Sequence, residues 1–280
     1  MDILSILAED IKKKKELAGI EDSVVRKEIN EYFRKYKTFA VLRTYQNEEQ
    51  LKRSYEYKKA LKKVRSNLHS SYGMFQIPKN SDEIKKEFLK KTEMSSLREE
   101  DYERALSLHR STKERFQSYQ SIYQQIFKQT GKPKIILDLG CGLNPLSVHY
   151  MNLNAFKYIA SDIDKSSLEF IRQYFDLGGI NGETVILDLL NKDDLEKLSG
   201  IQADVCFLFK VLEIDKRIAE PIFSKVNAKF IVVSFSTRSL SGKIMSNSER
   251  QWFEKMLSRL KYKFSIFKTE NEIFYIIRKS

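Results

Sequence analysis

The chain has 280 residues, 41% hydrophobic and 12% aromatic, a composition that supports a sizeable core and excludes a disordered chain. No apolar run reaches membrane-spanning length, and the two cysteines, Cys141 and Cys206, make neither a disulfide framework nor a zinc set, so no membrane association and no metal are expected. A formal net charge of +12 points to a polyanionic partner if the cations cluster. The opening M-D-I-L-S-I-L-A-E-D is too short and too acidic for a signal peptide, so a cytoplasmic location is expected.

Residues 1–130 contain only Gly19, Gly73 and Pro78 as breakers, and their dense charge carries apolar residues at helical spacing. A mainly helical unit is expected there. The spacing predicts helices over 23–36 and over 48–69, with a turn at 70–73 and a further break at 78–81. Ser81 or Asp82 can cap a helix over 83–91, and 99–129 reads as one long helix or two. The helix over 48–69 carries Lys52, Arg53, Lys58, Lys59, Lys62, Lys63 and Arg65, with Tyr55 and Tyr57 interleaved and Glu56 as the acid among them. Such a face suits a phosphate backbone, and these cations are the expected RNA-binding set. A solvated helix face is the competing reading.

From residue 132 the pattern changes to strands alternating with helices. Apolar, β-rich runs occupy 134–139, 157–163, 184–189, 203–212 and 229–235, and helical stretches 166–177, 192–198 and 215–225 lie between them. A helix over 246–260 follows, then two strands around 269–271. This predicts an α/β fold, a doubly wound sheet closed by an antiparallel strand, in residues 131–280, preceded by the helical unit of residues 1–130.

The first strand runs into K-I-I-L-D-L-G-C-G-L-N-P at 134–145. Gly140 and Gly142 let backbone approach a ligand, and Asp138 needs donors inside an apolar run. The turn departs from a dinucleotide fingerprint, since Pro145 stands at the third glycine position, and it lacks the Lys-Ser/Thr of a P-loop. The pattern D-x-G-x-G resembles the cofactor loop of class I (Rossmann-like) S-adenosylmethionine methyltransferases. Asp162 ends the second strand and Asp188 the third. The first is placed to accept from ribose hydroxyls, the second from an adenine amine. Asp164 is the expected cap of the following helix. Acids at all three strand ends favour S-adenosyl-L-methionine over a nicotinamide cofactor.

Five further motifs resemble one family, the 16S rRNA (guanine-N7) methyltransferases of the aminoglycoside-resistance (Arm/Rmt) type. They are L-H-S-S-Y-G at 68–73, L-H-R-S-T-K-E-R at 108–115, G-C-G-L-N-P-L at 140–146, F-K-V-L at 209–212 and S-F-S-T-R-S-L-S-G-K at 234–243. The resemblance covers most of the chain from about residue 67. It implies a helical RNA-binding domain before a methyltransferase domain, with small-subunit rRNA as substrate. It implies Arg115 at the methionine carboxylate, and Asn144, Pro145, Ile163 and Leu189 beside the cofactor with Asp138, Gly140, Gly142, Asp162 and Asp188. Lys210 and Arg238 are expected at the mouth, holding the target nucleotide. Two departures stand out: Ser236 replaces the family's proline, and I-M-S-N-S-E-R-Q at 244–251 replaces G-M-E-E-N-Y. Methylation of another base, such as adenine N1, and an RNA-binding protein with a relic cofactor fold are the alternatives. The F-K-V-L segment lacks the Pro-Pro-aromatic signature of exocyclic-amine enzymes. Cys206 lies mid-strand and reads as core, not as a nucleophile. A monomer is expected.

Overall fold

The computed structural model describes residues 2–71, 81–91, 96–237 and 250–279. In the N-terminal part, α1 (Ile3–Lys12) is capped by Asp2, and α2 is Asp22–Tyr36. After the short α3 (Phe39–Leu42), the stretch expected as one helix over 48–69 is two: α4 (Glu48–Arg53) and α5 (Tyr55–Ser71). Ser54 makes the break. Its Oγ donates to the Leu51 carbonyl at 2.7 Å and accepts from the Tyr57 amide at 3.2 Å, offering the backbone a partner outside the helix. Leu7, Ile11, Val25, Ile29, Tyr57, Ala60 and Val64 close a core of their own, joined by Ile163 from the far side of the chain.

Next come α6 (Ser81–Leu89), α7 (Glu99–Leu106), α8 (Arg110–Arg115) and α9 (Tyr119–Thr130). The helical run over 99–129 is thus interrupted twice. At the first break the Thr112 hydroxyl, on α8, bonds the carbonyls of Leu106, the last residue of α7, and of His109, the residue before α8.

The sheet holds β1 (Ile135–Leu139), β2 (Lys157–Asp162), β3 (Gly182–Ile186), β4 (Gln202–Phe209), β5 (Asn227–Ser236), β6 (Lys263–Lys268) and β7 (Glu272–Arg278). Their order is β3-β2-β1-β4-β5-β7-β6. The first five are parallel, and β7 enters antiparallel between β5 and β6. Strand alternation divides the core. Ile136, Tyr158, Phe207 and Phe274 face α7, α9 and α10 (Lys165–Leu177). Leu137, Ile159, Cys206 and Tyr275 face α11 (Lys192–Lys197), α12 (Ala219–Lys225) and α13 (Gln251–Arg259). Residues of α6, α7 and α9 therefore share a core with the sheet, whereas those of α1 to α5 pack mostly among themselves.

Two strand ends differ from the sequence pattern. β3 stops at Ile186, leaving Asp188 and Leu189 in the loop beyond it. β4 stops at Phe209, because Lys210 adopts a left-handed backbone (φ 63°) and the buried Val211 and Leu212 turn into a short 3-10 helix. After β1 the chain forms a 3-10 turn over Asn144–Tyr150 with Pro145 in its first turn.

The N-terminal part also touches the sheet at the carboxyl end of β2. Glu21 N donates to Ile163 O at 3.1 Å and Lys165 N to Gly19 O at 3.0 Å, forming a bridge between Ile20 and Asp164. Asp164 caps α10 through Ser166 N and Ser167 N. No helix among the described residues is long and apolar enough to cross a membrane.

Candidate active site

The glycine turn after β1 is set by close approach. Gly140 and Gly142 both have positive φ. A Cβ on Gly140 would meet Val211 at 2.8 Å, and one on Gly142 would meet the His109 ring at 2.9 Å. Asp162 ties this turn to β2: its Oδ2 accepts from Gly142 N at 2.8 Å, and its Oδ1 from Ile163 N at 2.7 Å and Asp164 N at 3.0 Å. Burial raises its pKa, outweighing these amide donors.

A pocket of about 860 Å³, its open mouth included, lies at the carboxyl ends of the parallel strands. That is the ligand position of open α/β sheets. Gly140, Gly142, Asp162, Ile163, Asp188, Leu189 and Lys210 all line it. Glu16, Ile20 and His109 line it too, and composition alone did not single out the first two. His109 is held neutral: burial, then the charges of Arg115 and Lys210, push it down to about 3. Its ring nitrogen Nδ1 lies 2.9 Å from Ser111 Oγ.

The remaining expected residues lie behind the pocket wall. Asp138 is 1% exposed; its Oδ2 accepts from Asn144 Nδ2 at 2.9 Å and Tyr158 Oη at 2.6 Å. Asn144 Oδ1 in turn accepts from Arg115 Nη1 at 3.0 Å and Tyr119 Oη at 3.1 Å. Pro145 is buried in the same turn. Arg115 lies over the Phe209 ring at 5.0 Å, and its Nε donates to Glu272 Oε1 at 2.7 Å, both side chains fully or nearly fully buried. Lys210 lies 3.3 Å from the same oxygen, and donates to Glu114 Oε2 at 2.5 Å.

This corrects the expectation for Lys210. It borders the pocket, but its side chain is 3% exposed and its ammonium is held between two carboxylates, so it does not reach out from the mouth. The partners were not singled out from the sequence: Glu114 sits in the 108–115 motif with Arg110 as its partner on the same helix, Glu272 opens the last strand, and the fold brings both to a buried cation. Arg238 and the segment at 238–243 lie outside the described residues, as does the part of the 68–73 motif beyond Ser71.

The ribosomal RNA methyltransferase (FmrO) family model matches residues 42–276. The chain belongs to that family. Among curated relatives, it is 35% identical over 183 residues to a 16S rRNA (guanine(1405)-N(7))-methyltransferase of Micromonospora rosea, covering 63% of this chain and 65% of that one. The chain thus spans just under two thirds of that relative's length. A Proteus mirabilis protein of the same name is 31% identical over 212 residues, covering 70% and 74% of the two chains. The fold matches the 16S rRNA methylase RmtB with a TM-score of 0.74 at 22% identity, covering 100% of this chain and 99% of that one. It matches RmtF, solved in complex with S-adenosyl-L-homocysteine, with a TM-score of 0.72 at 21% identity over the same shares. These matches bear out the expected class I methyltransferase fold with its helical N-terminal region.

In this FmrO-family chain the expected cationic helix face is split by its pairings. Lys52 lies 2.6 Å from Glu48 and 3.4 Å from Asp10, Arg53 lies 2.6 Å from Glu49, and Arg65 binds the Asp10 carbonyl. Lys58, Lys59, Lys62 and Lys63 are exposed along α5. Lys58 and Lys62 share an open groove with Lys14, Arg65 and His69. Tyr57 is core, its hydroxyl on Asp10 at 2.7 Å, whereas Tyr55 is 70% exposed.

Two outcomes are expected. Glu272→Ala leaves Arg115 and Lys210 without their shared buried carboxylate and should cost about 3–5 kcal/mol in denaturant unfolding. A loss under about 1 kcal/mol would show that the pair is dispensable. Asp138 is pushed up to about 6 from its ordinary 3.8, by burial against the Tyr158 and Asn144 hydrogen bonds. Its raised folded value means that its protonated form favours folding below pH 4, and this contribution is lost as pH rises through 6. The stability of Asp138→Asn should therefore gain on wild type by roughly 2–3 kcal/mol between pH 4 and 7. A constant difference over that range would contradict the raised value.

Proposed function

We propose that this chain is an S-adenosylmethionine-dependent methyltransferase acting on N7 of a guanine in the decoding region of 16S-type rRNA, in the cytoplasm. The reading rests on one observation above the rest. In a chain of the ribosomal RNA methyltransferase family, the strand-end pocket is floored by two glycines whose side-chain space is closed and carries a carboxylate after each of β2 and β3.

The residues present fit the cofactor. The tight turn at Gly140 and Gly142 suits backbone approach, Asp162 suits ribose hydroxyls, Asp188 suits the adenine amine, and Ile163 and Leu189 supply apolar walls. S-adenosylmethionine supplies an electrophilic methyl group on a sulfonium. Arg115, expected at the methionine carboxylate, is instead buried behind the pocket wall on Glu272 and Asn144, and its proposed role is to hold the turn after β1 in register together with Asn144, Pro145 and Asp138.

Guanine N7 presents a lone pair and no proton, so attack by it requires no general base. The pocket chemistry agrees. Neutral His109, with a pKa near 3, is too weak a base to be useful at neutral pH, and Lys210 is ion-paired. What the chain contributes is positioning and exclusion of water. In the proposal, Lys210 acts as a fixed charge that orders Glu114 and Glu272 at the pocket wall. Arg238 is the residue proposed to hold the nucleotide. The exposed Lys58, Lys59, Lys62 and Lys63 of α5 are the proposed rRNA face, Lys52, Arg53 and Arg65 being engaged with Glu48, Glu49 and Asp10, and the enzyme is proposed to work as a monomer.

The test is to incubate small ribosomal subunits with methyl-labelled cofactor and map the product by mass spectrometry. The expected product is 7-methylguanine at one decoding-region position. Neutralising Lys58, Lys59, Lys62 and Lys63 together should lower the yield and flatten its salt dependence. A methyl group on an exocyclic amine or on C5 of a pyrimidine would overturn the proposal.

A further inference from the structure

The loop after β3 is held from outside the methyltransferase sheet. Lys27, on α2, donates from Nζ to Asp188 Oδ2 at 3.2 Å and to Leu190 O at 2.9 Å. Asp188 Oδ1 accepts from Leu190 N at 2.8 Å. One amide and one ammonium thus take one acceptor position on each carboxylate oxygen, and a carboxylate has about four. Asp188 is 5% exposed and lines the pocket together with Leu187, Leu189 and Leu190. Lys27 lies before residue 42, where the family match starts. It works beside Glu16 and Ile20, which wall the same pocket, and beside the bridge from Ile20 to Asp164. The helical N-terminal part is therefore built into this pocket.

We infer that Lys27 is a positioning residue for recognition of the adenine amine: its two bonds fix the plane of the Asp188 carboxylate and the path of the loop, leaving the free acceptor positions of Asp188 oriented for a donor in the pocket. The inference rests on the cofactor reading of the pocket given above. A long lysine stem that reaches a loop 161 residues away and binds both its carboxylate and its carbonyl restrains that loop more than a single surface ion pair does. Without it, the Leu190 amide is the one partner of the Asp188 side chain left among the described residues, and the carboxylate regains its rotor freedom.

The test uses calorimetry on the full chain with two probes, S-adenosylhomocysteine and its inosyl analogue, in which a carbonyl replaces the adenine amine. Wild type is expected to prefer the adenosyl form. Lys27→Met should weaken adenosyl binding by about fivefold or more and erase most of the preference, and Lys27→Gln should do the same. In an Asp188→Ala background, Lys27→Met should change the preference no further, because both substitutions remove one arrangement. Unchanged affinity and preference in both Lys27 variants would make the contact an ordinary surface pair and overturn the inference. Equal weakening of both probes would reduce Lys27 to a wall contact and also overturn it. Wild type that binds both probes equally sinks the inference while sparing the cofactor reading. Wild type that binds neither sinks both.

Discussion

A single buried carboxylate organises the space behind the pocket. Oε1 of Glu272, at the start of β7, takes Arg115 Nε from the end of α8 and Lys210 Nζ from the end of β4. Removing a carboxylate and two cations from water is costly, and the arrangement persists only because each charge finds partners. Arg115 passes the constraint on to Asn144, and Asn144 to Asp138 and the turn after β1. Lys210 passes it to Glu114. The left-handed backbone at Lys210, anchored by its amide on Ser234 O at 3.0 Å, turns the lysine inward at the point where the apolar run of β4 would otherwise continue. Glycine turn, strand end and helix α8 thereby become one rigid assembly, the preorganisation that a reaction driven by positioning requires.

Much of the fold could be read from the chain because its signals are local. Gly140 and Gly142 follow an apolar β-branched run, and their lack of side chains is demanded by Val211 and His109 at under 3 Å. Asp162 and Asp188 follow their strands within a few residues, and both reach the pocket. The misread boundaries also have local causes. Val211 and Leu212 are as buried as strand residues, so hydrophobicity cannot distinguish the 3-10 turn from a longer β4. Ser54 is helix-tolerant in pattern, yet its hydroxyl caps α5 and ends α4.

The pairings were not readable, because they join distant segments. Lys210 meets Glu114 across 96 positions, and Arg115 meets Glu272 across 157. A lysine at a strand's carboxyl end looks like a ligand-binding charge until the acids opposite it are placed. Lys52 and Arg53 differ: Glu48 and Glu49 stand four residues before them on α4 and are visible in the chain, and only Asp10, which reaches Lys52 from α1, is a distant partner. Long-range charge neutralisation is a property of the fold, and it decides which of the many cations in this basic chain remain for RNA.

In the proposed function, the pocket at the strand ends holds S-adenosylmethionine through the acid that closes the glycine turn. Titration of S-adenosylhomocysteine into wild type and Asp162→Ala, with thermal unfolding of both recorded, measures this directly. The expected result is saturable one-to-one binding to wild type and binding weakened about tenfold or more in a folded variant. Equal affinity in wild type and a folded Asp162→Ala would contradict it.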